Sequence, residues 1–225
     1  MIRKTLFITG ASTGIGEATA RAAVEHGWNV GLFARSEDKL AALAKEFGDH
    51  GLALPGDATD LASQTKALAK LANAYGSVDA AFANAGMGVG VSGTDEGEPD
   101  EWQKLVQLNI MGLLWTTKAA MPHLKSSKGQ LLMTGSAAGR VHIKGSVYGA
   151  SKWFVHGYGG NIAQEMMREW GGRCTVIAPG MVDTPFFDDA KPDKLKPEDM
   201  ARSVVFALQA DPRATIQEVF VMPTN

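Results

Sequence analysis

Short apolar runs alternate with longer amphipathic segments along this chain. The runs are rich in Val, Ile, Leu, Phe and Ala, a composition typical of strands that are buried on both faces of a parallel sheet. They predict seven strands, at residues 5–9, 29–33, 51–54, 78–83, 131–134, 173–178 and 218–222. The intervening segments predict helices, among them 17–26, 36–47, 60–75, 101–121 and 146–170. Ser36 and Asp60 are suitable N-caps for the second and third of these helices.

This alternation of strands and helices decides the fold class. It predicts a single doubly wound α/β domain over residues 1–225, with a seven-stranded parallel sheet flanked by helices. Ligands of such folds bind at the carboxyl ends of the strands. Four residues suited to a ligand site directly follow predicted strands, namely Gly10, Asp57, Asn84 and Ser136. We therefore expect the functional site at this edge of the sheet.

Charge and composition exclude several classes of partner. The chain carries 22 basic and 24 acidic residues, a net charge of −2, so we expect neither nucleic acid nor an anionic membrane as partner. The apolar runs are shorter than the ~20 residues of a membrane span, and the first strand leaves no room for a signal peptide. The single cysteine, Cys174, lies in an apolar run and is expected in the core. These features predict a cytoplasmic protein.

A glycine-rich turn joins the first predicted strand to its helix. Gly10, Gly14 and Gly16 follow the apolar run 5–9 in the sequence Gly-Ala-Ser-Thr-Gly-Ile-Gly. Such a turn directs free backbone N–H groups and the positive end of a helix at a phosphate. The spacing differs from the common G-x-G-x-x-G pattern. A plain strand-to-helix turn is the alternative, and three glycines at this point favour a phosphate site.

Tyr148 and Lys152 lie four residues apart in a predicted helix. This spacing places them on one face, with Cβ atoms about 5–6 Å apart. A free phenol has a pKa near ~10, and a neighbouring ammonium stabilises the phenolate. We therefore predict that Lys152 lowers the pKa of Tyr148 and that the pair performs acid–base chemistry. The alternative is an ordinary amphipathic helix edge.

The glycine turn and the Tyr148-x-x-x-Lys152 pair together resemble the short-chain dehydrogenase/reductase family. Further matches follow in the order of the family's motifs along the whole chain. They are Asn84-Ala85-Gly86 after the fourth strand, Asn109 in a helix, Ser136 after the fifth strand, and Pro179-Gly180 with Thr184 after the sixth.

This resemblance implies a Rossmann-like fold, a nicotinamide cofactor and a set of site residues. The expected catalytic residues are Ser136, Tyr148, Lys152 and Asn109. Tyr148 exchanges a proton with the substrate oxygen, Ser136 donates a hydrogen bond to that oxygen, and Lys152 also binds the nicotinamide ribose. Asn109 holds a water that passes protons toward Lys152. The expected cofactor-binding residues are Gly10, Ser12, Thr13, Gly14, Ile15, Gly16, Arg35, Ser36, Asp57, Ala58, Asn84, Ala85, Gly86, Tyr148, Lys152, Pro179, Gly180, Val182 and Thr184.

The end of the second strand indicates which nicotinamide cofactor binds. An NAD-preferring site has an acidic side chain there, which accepts hydrogen bonds from the ribose 2′-hydroxyl. Here the uncharged Ala34 is followed by Arg35, whose guanidinium suits a 2′-phosphate. Thr13 stands where many NADP-preferring relatives carry a second basic residue. We expect NADP(H) to be preferred, with NAD(H) possible, and Arg35 as a solvated surface charge is the alternative.

These features predict an NADP(H)-dependent oxidoreductase acting on a carbonyl or secondary alcohol. Apolar residues expected to line the substrate pocket are Met87, Val89, Met181, Phe186 and Phe187, which favours a largely apolar substrate. A non-catalytic NADP(H)-binding sensor or scaffold is the alternative. An epimerase or dehydratase would need a larger C-terminal region. His142 and His156 lack the partners of a metal site, and no metal is expected.

The helices at 101–121 and 146–170 correspond to the family's usual subunit interface. Gly157, Gly159 and Gly160 lie in the second helix, where each glycine costs roughly 1 kcal/mol relative to alanine. Small residues allow backbones to approach closely, and Trp115, Trp153, Phe154 and Met166 are expected to pack around the contact. We therefore predict a homodimer or homotetramer. The alternative is that the glycines kink or loosen the helix.

Overall fold

Seven parallel strands form a single sheet in this computed structural model, which describes residues 3–91 and 93–224. The strands are β1 (Thr5–Thr9), β2 (Asn29–Ala34), β3 (Gly51–Pro55), β4 (Ala80–Ala83), β5 (Gln130–Thr134), β6 (Arg173–Pro179) and β7 (Glu218–Val221). Their order in the sheet is β3-β2-β1-β4-β5-β6-β7. The strand order reverses between β1 and β4, which creates the crevice in which doubly wound folds bind ligands. The predicted fold class is confirmed.

Helices cover both faces of the sheet. They are α1 (Gly14–Glu25), α2 (Glu37–Phe47), α3 (Leu61–Tyr75), α4 (Pro99–Val106), α5 (Leu113–Ser127), α6 (Val147–Trp170) and α7 (Pro197–Leu208). Side chains alternate along β1, so Leu6 and Ile8 pack with α1, α2 and α7, whereas Phe7 packs on the opposite face with α3, α5 and α6. The two resulting cores, buried on either side, hold the strand ends in place.

Three elements differ in their bounds or in their helix type from the sequence-based prediction. α1 begins at Gly14 rather than at residue 17, so the second half of the glycine turn is already helical. β4 begins at Ala80 rather than 78, and the Val78 carbonyl accepts a hydrogen bond from the Ser127 hydroxyl. The helix predicted at 101–121 consists of α4, a π-helical segment (Gln107–Gly112) and α5.

The helix caps agree with the sequence in position and differ in chemistry. Asp60 is the N-cap of α3, and its carboxylate accepts a hydrogen bond from the Ala62 N–H at 2.9 Å. Ser36 is the N-cap of α2, but its hydroxyl makes no capping bond. The Ser36 hydroxyl is therefore available to a ligand.

Candidate active site

A cavity of about 880 Å³ lies at the carboxyl ends of the strands. It is lined by residues from the glycine turn, the ends of β2 to β6 and the start of α6. Every residue expected to bind the cofactor lines it except Gly16, as do the catalytic candidates Ser136, Tyr148 and Lys152. The structure thus brings together residues as far apart in the sequence as Gly10 and Phe187.

The glycine turn leaves no space for side chains at its ends. Gly10 and Gly14 have φ of 67° and 57°, in the left-handed region that favours glycine. A Cβ on Gly16 would lie 2.2 Å from the Gly10 carbonyl oxygen. Gly16 therefore allows α1 to approach the end of β1, and the first N–H groups of α1 border the cavity. This arrangement fits the pyrophosphate of a dinucleotide.

Asn84 holds the turn after β4 against its neighbours. Its Nδ2 donates to the Thr9 carbonyl at 3.1 Å, and its Oδ1 accepts from the Thr134 hydroxyl at 3.0 Å. The Thr9 hydroxyl accepts from the N–H groups of Asn84 and Ala85 at 3.0 and 3.1 Å. Asn84 thus shapes the cavity wall instead of performing chemistry. Thr9 and Thr134 are not among the residues predicted from the sequence, although each ends a predicted strand with a hydroxyl.

The end of β2 presents charge to the cavity. Arg35 is exposed there, and within the part of the chain that the structure describes it forms no salt bridge. The Asp57 carboxylate accepts from the N–H and the hydroxyl of Thr59, both at 2.8 Å. These bonds, the backbone one above all, lower the pKa of Asp57, and the nearby Arg35 adds to the effect. Asp57 is therefore an ionised hydrogen-bond acceptor on the cavity wall near the end of β3.

Lys152 is buried, and its ammonium is bonded to the main chain. Its Nζ donates to the Thr134 carbonyl at 2.8 Å and lies 5.7 Å from the centroid of the Tyr148 ring. Burial lowers the pKa of Lys152 to about 8. The side chain thus carries its charge at neutral pH and loses it under mildly alkaline conditions.

The prediction that Lys152 lowers the pKa of Tyr148 is wrong for this structure. Burial raises the pKa of Tyr148, and the opposing influence is a hydrogen bond with Ser136. The physical reason is the geometry, because the ammonium lies beside the ring and is bonded to Thr134, not to the phenol. Tyr148 is therefore protonated at neutral pH and suited to donate a proton.

Ser136 is held by its own turn. Its hydroxyl oxygen accepts from the Ala138 N–H at 3.1 Å, capping the short helical turn Ala137–Gly139. That bond uses a lone pair, so the hydroxyl hydrogen can be donated to another oxygen. Ser136 and Tyr148 both line the cavity wall, and the Ser136 hydroxyl is close enough to lower the pKa of Tyr148 against the effect of burial.

Asn109 lies behind the cavity, 2% exposed, in the π-helical segment. Its Oδ1 accepts from the Met87 N–H at 2.8 Å, and its Nδ2 donates to the Met87 carbonyl at 2.9 Å and to the Ser151 hydroxyl at 3.2 Å. The side chain therefore clamps the segment after β4 to α6. A role in holding water stays a prediction. Ser151 was missed, although it directly precedes Lys152.

The walls near Tyr148 are apolar, but not all of the expected residues contribute. Met87, Phe186 and Phe187 line the cavity, whereas Val89 and Met181 do not. Met181 is 41% exposed because neighbouring residues of an extended segment point in opposite directions, and Val182 takes the inward position. His142 is exposed and stacks on Trp153, with ring centroids 5.4 Å apart.

Other groups in the described residues add no second centre. Cys174 is buried as expected, and burial raises the pKa of its thiol to about 12. Within residues 3–91 and 93–224, no three His, Cys, Asp or Glu side chains are grouped as a metal site would require. The helices of the same residues include none long and apolar enough to cross a membrane.

Comparison with known proteins identifies the family. The family model for short chain dehydrogenases matches residues 4–195 of this chain. The chain belongs to the short-chain dehydrogenase family. An uncharacterized oxidoreductase of Staphylococcus saprophyticus is 34% identical to it over 229 residues, covering 98% of this chain and 97% of the relative. Serine 3-dehydrogenase of Agrobacterium fabrum is 37% identical over 185 residues, covering 81% of this chain and 73% of the relative.

Solved structures of short-chain dehydrogenase fold support nicotinamide binding. An alcohol dehydrogenase of Thermococcus sibiricus complexed with 5-hydroxy-NADP has a TM-score of 0.88 at 28% identity, covering 99% of this chain and 97% of that one. The 3-ketoacyl-(acyl-carrier-protein) reductase of Brucella melitensis complexed with NADH has a TM-score of 0.88 at 26% identity, covering 98% of each chain. This short-chain dehydrogenase is thus an oxidoreductase, as its motifs predict.

Lys152 generates a prediction about stability and pH. Its pKa is about 8 in the folded protein against 10.5 ordinarily, so between these values the unfolded chain holds a proton that the folded protein has released. The free energy of unfolding therefore rises with pH through this window. Urea titrations measure the free energy of unfolding of the wild type and of Lys152→Met. The value for the wild type minus the value for the variant should increase between about pH 8 and about pH 10. Lys66→Met, at an exposed position of α3, should show no such trend, and a flat difference for Lys152 would contradict the lowered pKa.

Proposed function

We propose that this chain is an NADP(H)-dependent reductase of carbonyl groups on largely apolar substrates, or the corresponding alcohol dehydrogenase. The observation that carries the proposal is that the side chains of Ser136, Tyr148 and Lys152 line the same cavity as the glycine turn. Two hydroxyl donors that converge there can share one substrate oxygen. Dihydronicotinamide, when bound, supplies a hydride to the carbon that carries this oxygen.

The residues of the chain supply the proton and the polar environment. Tyr148 has a raised pKa and is protonated at neutral pH, so it can donate its proton to an oxygen that gains negative charge. Ser136 can donate its hydroxyl hydrogen to the same oxygen and stabilise the developing charge. Lys152, whose ammonium lies beside the Tyr148 ring, is the proposed partner of the nicotinamide ribose.

Arg35 supports a preference for NADP(H) over NAD(H). It is exposed at the end of β2, lines the cavity and has no salt-bridge partner among the described residues. The free Ser36 hydroxyl lies beside it in sequence and could donate a further hydrogen bond. An acidic residue in place of Ala34 would repel a 2′-phosphate, and this position at the end of β2 carries no charge.

The surroundings of Tyr148 support an apolar substrate. The Phe186 ring lies 5.6 Å from the Tyr148 ring and 5.2 Å from the ring of Phe187, between centroids. Such a wall suits an alkyl or aryl group, whereas a substrate carboxylate would need a cation or several N–H donors. Serine, the substrate named for the A. fabrum relative, is the second candidate, because that relative is 37% identical to this chain over 185 residues.

A non-catalytic sensor or scaffold remains the alternative function. Such a protein would need the cofactor contacts but not the converging hydroxyls of Ser136 and Tyr148. Turnover of a panel of ketones, aldehydes, quinones and serine, followed by absorbance of the nicotinamide, separates the two functions.

Location in the cytoplasm stays a prediction from the sequence.

We also propose a homodimer or homotetramer assembled through α6. A Cβ on Gly157 or Gly160 would meet no atom within 4 Å, so both glycines face open space on the helix surface. Trp153 and Met167 are 42% and 43% exposed on the same helix. Two residues that were expected at the subunit contact do not reach the helix surface, because Met166 is fully buried and Gly159 faces Val176 in the core. The helix is continuous from Val147 to Trp170, so the glycines do not break it.

The acid role of Tyr148 predicts the effect of its removal. Tyr148→Phe deletes the proton donor and little volume, so kcat should fall by about 10²- to 10⁴-fold while NADPH still binds. Steady-state kinetics with the best substrate of the panel measures the first effect, and fluorescence titration with NADPH measures the second. Tyr75→Phe, at the end of α3, is the matched control and should keep full activity. Retention of more than about a tenth of kcat would rule out this role.

Arg35 predicts a difference between the two cofactors. Arg35→Ala should weaken NADPH binding by about 1.5–3 kcal/mol, roughly 10- to 150-fold in Kd, because a charge-assisted hydrogen bond to the 2′-phosphate is lost. NADH binding should barely change. Arg213→Ala, an exposed arginine near the last strand, should alter neither titration. Equal losses for NADPH and NADH would contradict a 2′-phosphate site.

The outward-facing glycines predict how assembly can be broken. Gly160→Leu places a bulky side chain at the proposed contact and should dissociate the assembly at micromolar concentration, as measured by sedimentation velocity. Lys45→Leu adds leucine to the exposed surface of α2, on the other face of the sheet, and should leave the assembly intact. A wild-type protein that sediments as an active monomer would defeat the proposal.

A further inference from the structure

His156 lies one turn beyond Lys152 on the face of α6 that carries Tyr148. Its side chain is 5% exposed. The Nε2 atom of the ring lies 3.1 Å from the Ser136 carbonyl oxygen. A buried, ionisable side chain thus contacts the main chain of the serine that the proposed reaction uses.

The ring fits a space that two glycines leave open. A Cβ on Gly135 would lie 3.0 Å from Nε2 of His156, and a Cβ on Gly139 would lie 2.5 Å from its Cδ2. These glycines flank Ser136 and its helical turn. A side chain at either position would displace the imidazole from the Ser136 carbonyl. The ring is therefore part of the packing that shapes this turn.

The hydrogen on the ring can be assigned from its neighbours. A carbonyl oxygen only accepts, so Nε2 carries the hydrogen and donates it to Ser136. Burial lowers the pKa of His156, and the nearby charges of Arg140 and Lys152 lower it slightly further, whereas the Ser136 carbonyl and Glu218 oppose the shift. The ring is thus a neutral donor at physiological pH. Its Nδ1 lies 3.5 Å from Oε1 of Glu218 and has no hydrogen-bond partner among the described residues.

The same turn is held at its far end by an ion pair. Arg140, which follows Gly139, binds the carboxylate of Glu218 at the start of β7 through two nitrogen atoms. Glu218 therefore lies between the guanidinium and the imidazole and closes this side of the turn. The Ser136 turn is tied to α6 through His156 and to the sheet through Arg140.

We propose that His156 is a positioning residue, which places the Ser136 hydroxyl relative to Tyr148 by holding the Ser136 carbonyl. α6 contacts this strand end twice, through Lys152 on the Thr134 carbonyl and through His156 on the Ser136 carbonyl. The Ser136 carbonyl also accepts from the Gly139 N–H at 2.9 Å, so loss of the imidazole loosens the turn without unfolding it. The expected effect of His156 on catalysis rests on the proposed function. Its role in holding the Ser136 turn rests on the geometry alone.

The test compares three variants in the full-length protein. His156→Leu removes the donor and keeps an apolar side chain, whereas His156→Gln keeps an N–H donor without the imidazole. His26→Leu is the matched control, because His26 makes a similar ring-to-carbonyl contact, Nδ1 to the Ala22 oxygen at 2.8 Å, at the far end of α1. Thermal unfolding of each variant shows that it is folded.

Two readouts separate positioning from general stability. We expect His156→Leu to lower kcat about 10-fold, less than the ~10²-fold of a lost donor to the substrate oxygen, with KM for NADPH unchanged. Hydrogen exchange of the peptide that contains Ala138 and Gly139 should become faster, because both amides donate to Ser136. In His156→Gln, kcat and the exchange rate should both lie within about twofold of the wild-type values. His26→Leu should change neither quantity.

The outcomes distinguish this inference from the proposed function. If the wild type reduces carbonyl compounds and His156→Leu keeps its kcat, the positioning role is overturned while the function stands. Unchanged exchange in His156→Leu, or failure of His156→Gln to restore it, overturns the inference whatever the activity. If the wild type turns over no compound of the panel, the proposed function fails and the exchange measurement still decides whether His156 holds the turn.

Discussion

The hydrogen bond from Lys152 to the Thr134 carbonyl is the interaction on which the arrangement of this site depends. A buried ammonium is costly unless it is bonded, and this carbonyl at the end of β5 accepts its hydrogen bond at 2.8 Å. The bond sets the distance between α6 and the sheet. Tyr148 lies one turn earlier on the same helix, so its position follows from the same contact. Burial of the ammonium lowers the pKa of Lys152 to about 8.

From this bond a chain of contacts crosses the sheet to the glycine turn. The Thr134 hydroxyl donates to Asn84, and Asn84 donates to the Thr9 carbonyl, directly before Gly10. The chain joins β5, β4 and β1, three neighbouring strands. It links the residues suited to proton transfer with the turn suited to a pyrophosphate, and so explains how two distant motifs border one cavity. A change at Thr134 or Asn84 would therefore affect both ends.

α6 has two surfaces with different roles. Tyr148, Lys152 and His156 follow one another at intervals of four and face the cavity and the turn after β5, whereas Gly157 and Gly160 face open space. Assembly through the outer surface would restrain the helix that positions the proposed acid. The π-helical segment around Asn109 acts on the inner surface, because its clamp joins Met87 to Ser151 on α6. Such segments are frequent at functional sites.

Local patterns in the sequence determined the strands, the doubly wound fold, the family and most of the residues that line the cavity. They sufficed because each rests on neighbours in the chain: an apolar run makes a buried strand, and glycines at 10, 14 and 16 make a tight turn. Only the tertiary structure decided four other features. They are the direction in which the pKa of Tyr148 is shifted, the clamping by Asn109, the outward position of Met181 and the contact between His156 and Ser136. Each depends on burial or on a partner far away in sequence. The spacing of residues along a helix does not reveal where the lysine ammonium lies or to which carbonyl it donates a hydrogen bond.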